Sequence, residues 1–422
     1  MIKTFSLFVI LLCSTLTTVA GCDTGDTLRA LFIGNSYTYV NDLPGVLVSM
    51  GASTGDVIQT ASSTPGGYTL QMHSSNTVTL SAIAAGVWDY VVLQEQSQLP
   101  ALQDSIVAEE VFPFAHYLDS LIIQANQCTE TVFYRTWGRK NGDTENCPTW
   151  PPVCTYQGMD SLLHLRYRIM TDSFSAIMSP VGMLFRYLRM NQPNLELYDG
   201  DGSHPSPAGT YAAACSFYTV MLRKDPALIS FDNGLDPADA ANIRNAAKTV
   251  VFDNLMVWNV GKYDPTSAFI TDISGLTVNF TNQSTQSHDY FWDFGDGNFS
   301  TEMHPVHMYA GPGTFHVTLI SYACKLADTT ETDIHLDINS VQNNQTNGNQ
   351  TRIICKPGFL EIFCSQTPSS ISLFGTDGRQ LIEYRPGMKE LHISTKQLSR
   401  GLYIIKIQFQ STHCEAFKIS IH

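Results

Sequence analysis

The chain has 422 residues, roughly three times a typical ~150-residue domain, so two to four domains are expected. Hydrophobic residues make up 43%, which excludes a wholly disordered chain, and 24 Lys and Arg against 38 Asp and Glu give a net charge of −14, which excludes the basic footprint of a nucleic-acid binder. Charged residues are 15%, against about 25% in an average soluble domain, so the polar surface must come from Ser, Thr, Asn and Gln.

At the N-terminus, Lys3 precedes an apolar run over residues 5–12, too short for the ~20 residues of a spanning helix. Small residues follow through Thr17-Thr18-Val19-Ala20-Gly21, and the pattern predicts a cleaved secretory signal over residues 1–21. An exported chain can oxidise its cysteines. Removing Cys13 with the signal leaves Cys22, Cys128, Cys147, Cys154, Cys215, Cys324, Cys355, Cys364 and Cys414, an odd set that needs explaining. Val19-Ala20-Gly21-Cys22 resembles a bacterial lipoprotein lipobox, which implies a lipid anchor at Cys22 and leaves eight thiols, compatible with four disulfides. Cleavage after Ala20, with Cys22 an ordinary thiol, is the alternative.

Residues 28–260 alternate short apolar runs with helical patterns. Strands are predicted at 28–33, 57–61, 88–93, 131–135 and 181–185, and helices near 43–50 and at 105–126, 159–176, 207–223 and 236–258. Asp236-Pro237 is a helix start, with an N-cap and a proline in the first turn. This alternation predicts an α/β sandwich around a mostly parallel sheet, with an active site beyond the carboxyl ends of the strands.

Composition shifts after Asp264-Pro265, where short β patterns at 277–281 and 314–320 are separated by Gly/Pro turns. In Tyr290-Phe291-Trp292-Asp293-Phe294-Gly295-Asp296-Gly297, Trp292 and Phe294 alternate inward and Gly295-Asp296-Gly297 turns the chain. With His304-Pro305, Tyr309 and Gly313-Thr314-Phe315-His316-Val317-Thr318-Leu319, residues 263–338 resemble a PKD domain, which implies an immunoglobulin-like β-sandwich. Residues 339–351 are a polar linker. Residues 352–422 form a further β module, in which Leu373-Phe374-Gly375-Thr376-Asp377-Gly378-Arg379 and Leu398-Ser399-Arg400-Gly401-Leu402-Tyr403-Ile404-Ile405-Lys406-Ile407 resemble type IX secretion sorting domains. That resemblance implies the type IX secretion machinery of Bacteroidota as a partner and a secreted or outer-membrane location. An adhesive β-sandwich is the plainer alternative.

Two segments point to chemistry. Leu31-Phe32-Ile33-Gly34-Asn35-Ser36 puts a serine just past the first strand, where its hydroxyl can sit at the top of the sheet or merely cap a helix. Far downstream, Asp201-Gly202-Ser203-His204 spaces a carboxylate to orient an imidazole whose other nitrogen can take a proton from serine. Asp199, five residues before His204, fits less well.

Together these blocks make residues 22–262 resemble the SGNH (GDSL-like) hydrolases, a family of three-layer α/β sandwiches. The resemblance implies Ser36 as nucleophile, His204 as general base and then acid, and Asp201 as its orienter. It also implies an oxyanion hole from the Ser36 N–H, the N–H of Gly67 (or Gly66) in Thr64-Pro65-Gly66-Gly67-Tyr68-Thr69, and an amide after the third strand. The family's Gly-x-Asn-Asp block is replaced by Gln94-Glu95-Gln96-Ser97, similar to the Gln-Gly-Glu-Ser variant of carbohydrate acetylesterases. Gln94 is the expected donor and Gln96 the second candidate. An ester or acetylated carbohydrate is the implied substrate. The departure at this block also admits a non-catalytic surface protein that binds glycans on the same scaffold.

Other features carry less. His304 and His307 fall inside the PKD-like pattern, where cross-strand roles suit them. Trp137-Gly138-Arg139-Lys140 can border the pocket or form a solvated loop clipped by a Cys147–Cys154 disulfide, and Glu109-Glu110 reads as a wet helix face. With no Walker motif, Rossmann fingerprint or metal-ligand cluster, no cofactor is expected.

Overall fold

The computed structural model describes residues 27–337 and, between 351 and 421, all but 357, 365, 376–378, 400 and 410–413. The expected signal, Cys22, nearly all of the linker and the Thr376-Asp377-Gly378 turn lie outside the described residues. The chain divides into two compact units between Tyr263 and Asp264.

The first unit is an α/β domain. Its strands are β1 (Leu28–Ile33), β2 (Ile58–Ser63), β3 (Tyr90–Leu93), β4 (Glu130–Tyr134) and β5 (Ile177–Ser179), all parallel, in the order β2-β1-β3-β4-β5. Ala30 to Ile33 and Tyr90 to Leu93 are buried without alternation, the mark of parallel strands covered on both faces. The edge strand β2 is buried only at its two ends, Ile58 and Ser63, and carries polar residues. The helices are α1 (Ser36–Tyr39), α2 (Leu43–Ser53), α3 (Leu70–His73), α4 (Thr77–Ala84), α5 (Asp104–Glu110), α6 (Phe112–Ala125), α7 (Tyr156–Ser173), α8 (Val181–Asn191), α9 (Pro207–Leu222) and α10 (Pro237–Val250). They fall into two packed groups, α2, α8, α9 and α10 in one and α3 to α7 in the other, giving three layers. Fully buried side chains such as Phe32, Leu47, Phe133 and Phe217 each contribute ~1.5–3 kcal/mol by leaving water. The chain order reverses between β1 and β3, the switch point where open α/β sheets leave a crevice.

The structure corrects several sequence expectations. Residues 181–185 are helical, not a strand, because Val181, Leu184, Phe185 and Leu188 follow helical spacing and are buried together with Gly182; the fifth strand is the short Ile177–Ser179. The helix expected at 105–126 breaks at Val111, just before Phe112-Pro113, and the one expected at 236–258 is α-helical over Pro237–Val250 and ends in a 3-10 segment, Phe252–Trp258. Cys147 and Cys154 form the expected disulfide, but Cys215, Cys355, Cys364 and Cys414 are free, so four disulfides do not form. Cys215 is sealed inside α9, out of reach of another thiol. Among the described residues no helix is long and apolar enough to cross a membrane.

The second unit is all β. Strands β6 (Phe269–Ser274), β7 (Thr277–Asn282), β8 (Asp289–Asp293), β9 (Phe299–Ser300), β10 (Val306–Met308), β11 (Gly313–Ala323) and β12 (Leu326–Leu336) form sheets β10-β7-β6 and β12-β11-β8-β9. Trp292 and Phe294 do point inward, packed with Val278, Phe280, Tyr309, Val317 and Leu319. Strands β13 (Arg352–Lys356), β14 (Phe359–Phe363), β15 (Pro368–Gly375), β16 (Gln380–Tyr384), β17 (Glu390–Ser394), β18 (Gly401–Phe409) and β19 (Cys414–Ile421) form sheets β13-β14-β17 and β16-β15-β18-β19 around a separate core.

One contact in the first unit bears directly on the loop before α9. A Cβ at Gly209 would lie 2.2 Å from the Leu197 carbonyl oxygen and 3.0 Å from the Phe185 ring. Gly209→Ala is therefore expected to destabilise the protein by about 1–3 kcal/mol or more in urea melts. Unchanged stability would mean that the helix can move away freely.

Candidate active site

Ser36 is placed by the end of β1. Ile33 pairs with Leu93, so Gly34 and Gln94 leave the sheet side by side. A Cβ at Gly34 would sit 2.5 Å from Gln94 Oε1 and 2.8 Å from Thr38 Oγ1, so only glycine lets this turn close. Asn35 caps α1 by accepting from the Tyr37 N–H, and Ser36, half-buried, opens the helix. Among the described residues no acceptor takes the Ser36 N–H, as expected for the first turn of a helix.

The His204 loop is held by a short antiparallel clasp. Ser206 N–H donates to Leu197 O, Asp199 N–H donates to His204 O, and Tyr198 bridges to Pro205. Across the clasp, His204 Nε2 lies 2.9 Å from Ser36 Oγ and His204 Nδ1 lies 2.5 Å from Asp201 Oδ2. Asp201 also accepts from the Ser203 and His204 N–H groups at 2.8 and 2.9 Å. Partial burial opposes its ionisation, but the bonds from the His204 ring and these two N–H groups outweigh it and hold the carboxyl below its usual range. Asp199 spends Oδ1 on the Gly200 N–H and does not reach the imidazole.

Two residues the sequence did not single out, Tyr37 and Asn41, and Trp137, expected only to border the pocket or sit in a loop, clamp this loop. Tyr37 OH bonds Ser203 Oγ at 2.7 Å, and Asn41 Nδ2 donates to Pro205 O at 2.9 Å, so the serine's own turn grips both neighbours of His204. Trp137 Nε1 donates to Ser203 O at 3.1 Å, with its ring stacked between Tyr37 at 4.8 Å and Phe185 at 4.0 Å. Burial raises the Tyr37 phenol pKa despite its hydrogen bonds to Ser203 and Ser97, so it stays a neutral partner. Two residues before Trp137, the fully buried Arg135 pairs with Asp160 at 2.8 Å, and Arg186 Nε adds a bond to that carboxylate at 2.6 Å. A signal existed in Trp137, one of only five tryptophans, just past a predicted strand end.

On the other side, the loop with Gly66 and Gly67 lies against the same turn. Asn35 Nδ2 donates to Tyr68 O at 2.9 Å, and the Tyr39 hydroxyl lies 3.3 Å from where a Gly66 Cβ would be. Gly67 has φ +73°, a conformation that favours glycine, and among the described residues neither its N–H nor that of Gly66 has an acceptor. His73, fully buried, bonds Gly34 O through Nε2 at 2.9 Å and Thr79 through Nδ1 at 2.8 Å.

Gln94 does not fit as the expected third donor: both its amide N–H groups are engaged, with Asn35 Oδ1 and Glu95 O, and the side chain is fully buried. Gln96 is partly exposed and uses one amide N–H, on Gln98 Oε1. Glu95 is fully buried and accepts from Leu70 N–H, at the start of α3, and from Gln96 N–H. Among the remaining features, His304 and His307 have structural partners, the Asn282 N–H and Asp296, and Glu109-Glu110 is exposed. Among the described residues no His/Cys/Asp/Glu group could hold a metal.

Comparison with known proteins adds a family for one segment. Residues 265–335 match the model of the PKD domain. A curated relative, collagenase ColQ1 of Bacillus cereus (strain Q1), is 29% identical over 92 residues, and this match spans 22% of the chain and only 8% of that protein. The PKD1 domain of the Vibrio cholerae metalloprotease PrtV is 34% identical, covering 18% of this chain and 98% of that one, with a TM-score of 0.17. A DUF4886 family protein from Bacteroides uniformis is 17% identical, covering 55% of this chain and 95% of that one, with a TM-score of 0.46. A protein from Slackia heliotrinireducens, named provisionally as an SGNH hydrolase, is 25% identical, covering 46% of this chain and 98% of that one, with a TM-score of 0.37.

Burial pushes the Glu95 carboxyl up to about 8, against the bonds from Gln96 and Leu70, with the charge of Glu110 adding to the rise. The ordinary glutamate value is near ~4.3. Between the two, the unfolded chain has released this proton and the folded protein has not, so this group costs stability as pH rises. Glu95→Gln removes that cost, and urea melts at pH 5 and pH 8 are expected to show the variant gaining relative to the parent at the higher pH. A pH-independent difference would exclude the raised carboxyl.

Proposed function

We propose that the protein is an exported serine ester hydrolase of the SGNH type that removes acetyl groups from carbohydrate. The supporting observation is the unbroken line Ser36 Oγ–His204 Nε2, His204 Nδ1–Asp201. In this reading Ser36 Oγ attacks the ester carbonyl as its proton passes to His204 Nε2, and Asp201 stabilises the imidazolium. The oxyanion is met by the N–H groups of Ser36 and Gly67, preorganised donors that each contribute a few kcal/mol. Collapse expels the alcohol, which takes the proton from His204, and leaves an acyl-Ser36. Water then gives its proton to His204 as it attacks, and release of the acid restores Ser36.

A PKD-matching segment and a further β module on the same chain support a polymer-borne ester over a small free one, by analogy. The PKD segment and the Cys147–Cys154 disulfide suit an extracellular setting. The reading includes a signal at residues 1–21, a lipid anchor at Cys22 and recognition of residues 352–422 by the type IX machinery; intact mass of the exported protein tests all three.

Ser36→Ala is expected to lower kcat on p-nitrophenyl acetate and acetylated xylan by about 10⁴-fold or more with little change in Tm, and a fluorophosphonate is expected to label the parent at Ser36 only. Retention of more than about a tenth of the activity would remove Ser36 as nucleophile. A parent that binds the glycan but neither turns over nor labels would be the glycan-binding scaffold instead.

A further inference from the structure

We propose that Gln94 and Asn35 act as a pair of positioning residues, a buried amide relay that sets the Ser36 turn against the loop carrying Gly67, with Gln94 never touching substrate. This rests on the reading of Ser36 as nucleophile. A primary amide has two N–H donors and two acceptor lone pairs. Gln94 uses all four: Oε1 accepts from Asn35 N–H at 2.9 Å and Thr38 Oγ1 at 3.0 Å, and Nε2 donates to Asn35 Oδ1 at 2.9 Å and Glu95 O at 2.6 Å. Nothing is left over for an oxyanion.

The bonds instead run as a chain. From the end of β3, Gln94 holds both the backbone N–H and the side-chain oxygen of Asn35. Asn35 in turn holds the Tyr68 carbonyl, one residue past Gly67. Gln94 is fully buried and Asn35 is 2% exposed, so water does not replace a broken link. Two of the N–H groups without acceptors among the described residues, those of Ser36 and Gly67, each lie one residue from a link in this chain, Asn35 and Tyr68. Their spacing is therefore a property of the relay, and breaking it at either amide does the same damage.

The test measures kcat per competent site, with sites counted by fluorophosphonate titration of Ser36. Gln94→Ala and Asn35→Ala are each expected to lower per-site kcat about 10²-fold with KM changed less than about threefold, and the double variant to be no worse than the worse single one. Multiplying effects would make Gln94 an independent donor and overturn the relay. Per-site kcat unchanged, with only fewer competent sites, would also overturn it by reducing both residues to scaffolding. Should Gln94→Ala not fold, Gln94→Met keeps the buried volume and carries the same comparison; if neither folds, full per-site kcat in Asn35→Ala overturns the relay by itself. An active Ser36→Ala would instead refute the hydrolase reading, whereas an inactive one with multiplying Gln94 and Asn35 effects refutes the relay alone.

Discussion

The 2.9 Å contact between Ser36 and His204 joins residues 168 positions apart, and the arrangement of the site depends on it. A contact of that length across two loops exists only if both are held to a fraction of an ångström. The holding is done by short bonds to the residues next to His204 rather than to the imidazole. Tyr37 and Asn41 reach across from the serine's own turn, and Trp137 bonds the same Ser203 from the segment after β4. His204 is thereby placed without spending either ring nitrogen, which leaves one for Asp201 and one for Ser36. Stacked rings suit this task, because a wide flat contact resists sliding while adding few rotatable bonds.

Around the ends of β1 and β3 lies a cluster of buried polar side chains. Gln94, Glu95, Asn35, His73 and Thr79 are all buried and all hydrogen-bonded. Burying such groups is unfavourable unless every partner is present, and an unmade bond there costs about 1–3 kcal/mol. The cluster therefore stabilises little in net terms but penalises any other arrangement of the strand ends. Glu95 shows the tension most clearly, since its carboxyl gains two backbone donors and still has its pKa raised by burial.

The all-β unit follows simpler rules. Its two cores, one around Trp292 and Phe280 and one around Ile362 and Ile405, are built by alternation along antiparallel strands. Gly295 and Gly297, at φ +75° and +87°, supply the turn that brings Asp296 to His307. His304 and His307 are thus tied into the sandwich.

The sequence by itself determined the class of the first unit, the positions of β1 and β3, and the residue types that meet as Ser36, His204 and Asp201. Continuous apolar runs, Gly34 at a strand end and the Asp201–His204 spacing are local patterns, and local patterns survive in one dimension. It also separated Asp201 from Asp199 by spacing alone. What it could not determine were features that need a neighbour from elsewhere in the chain. Residues 181–185 look like a strand until Pro180 starts a helix whose buried stripe includes Leu188. Gln94 looks like an oxyanion donor until Asn35, 59 residues away, takes its amide. Tyr37 and Asn41 look unremarked, and Trp137 could equally border a pocket or sit in a solvated loop, until the His204 loop arrives beside them. A side chain's role in such a site is set by which hydrogen bonds are already taken, and only the tertiary structure decides that.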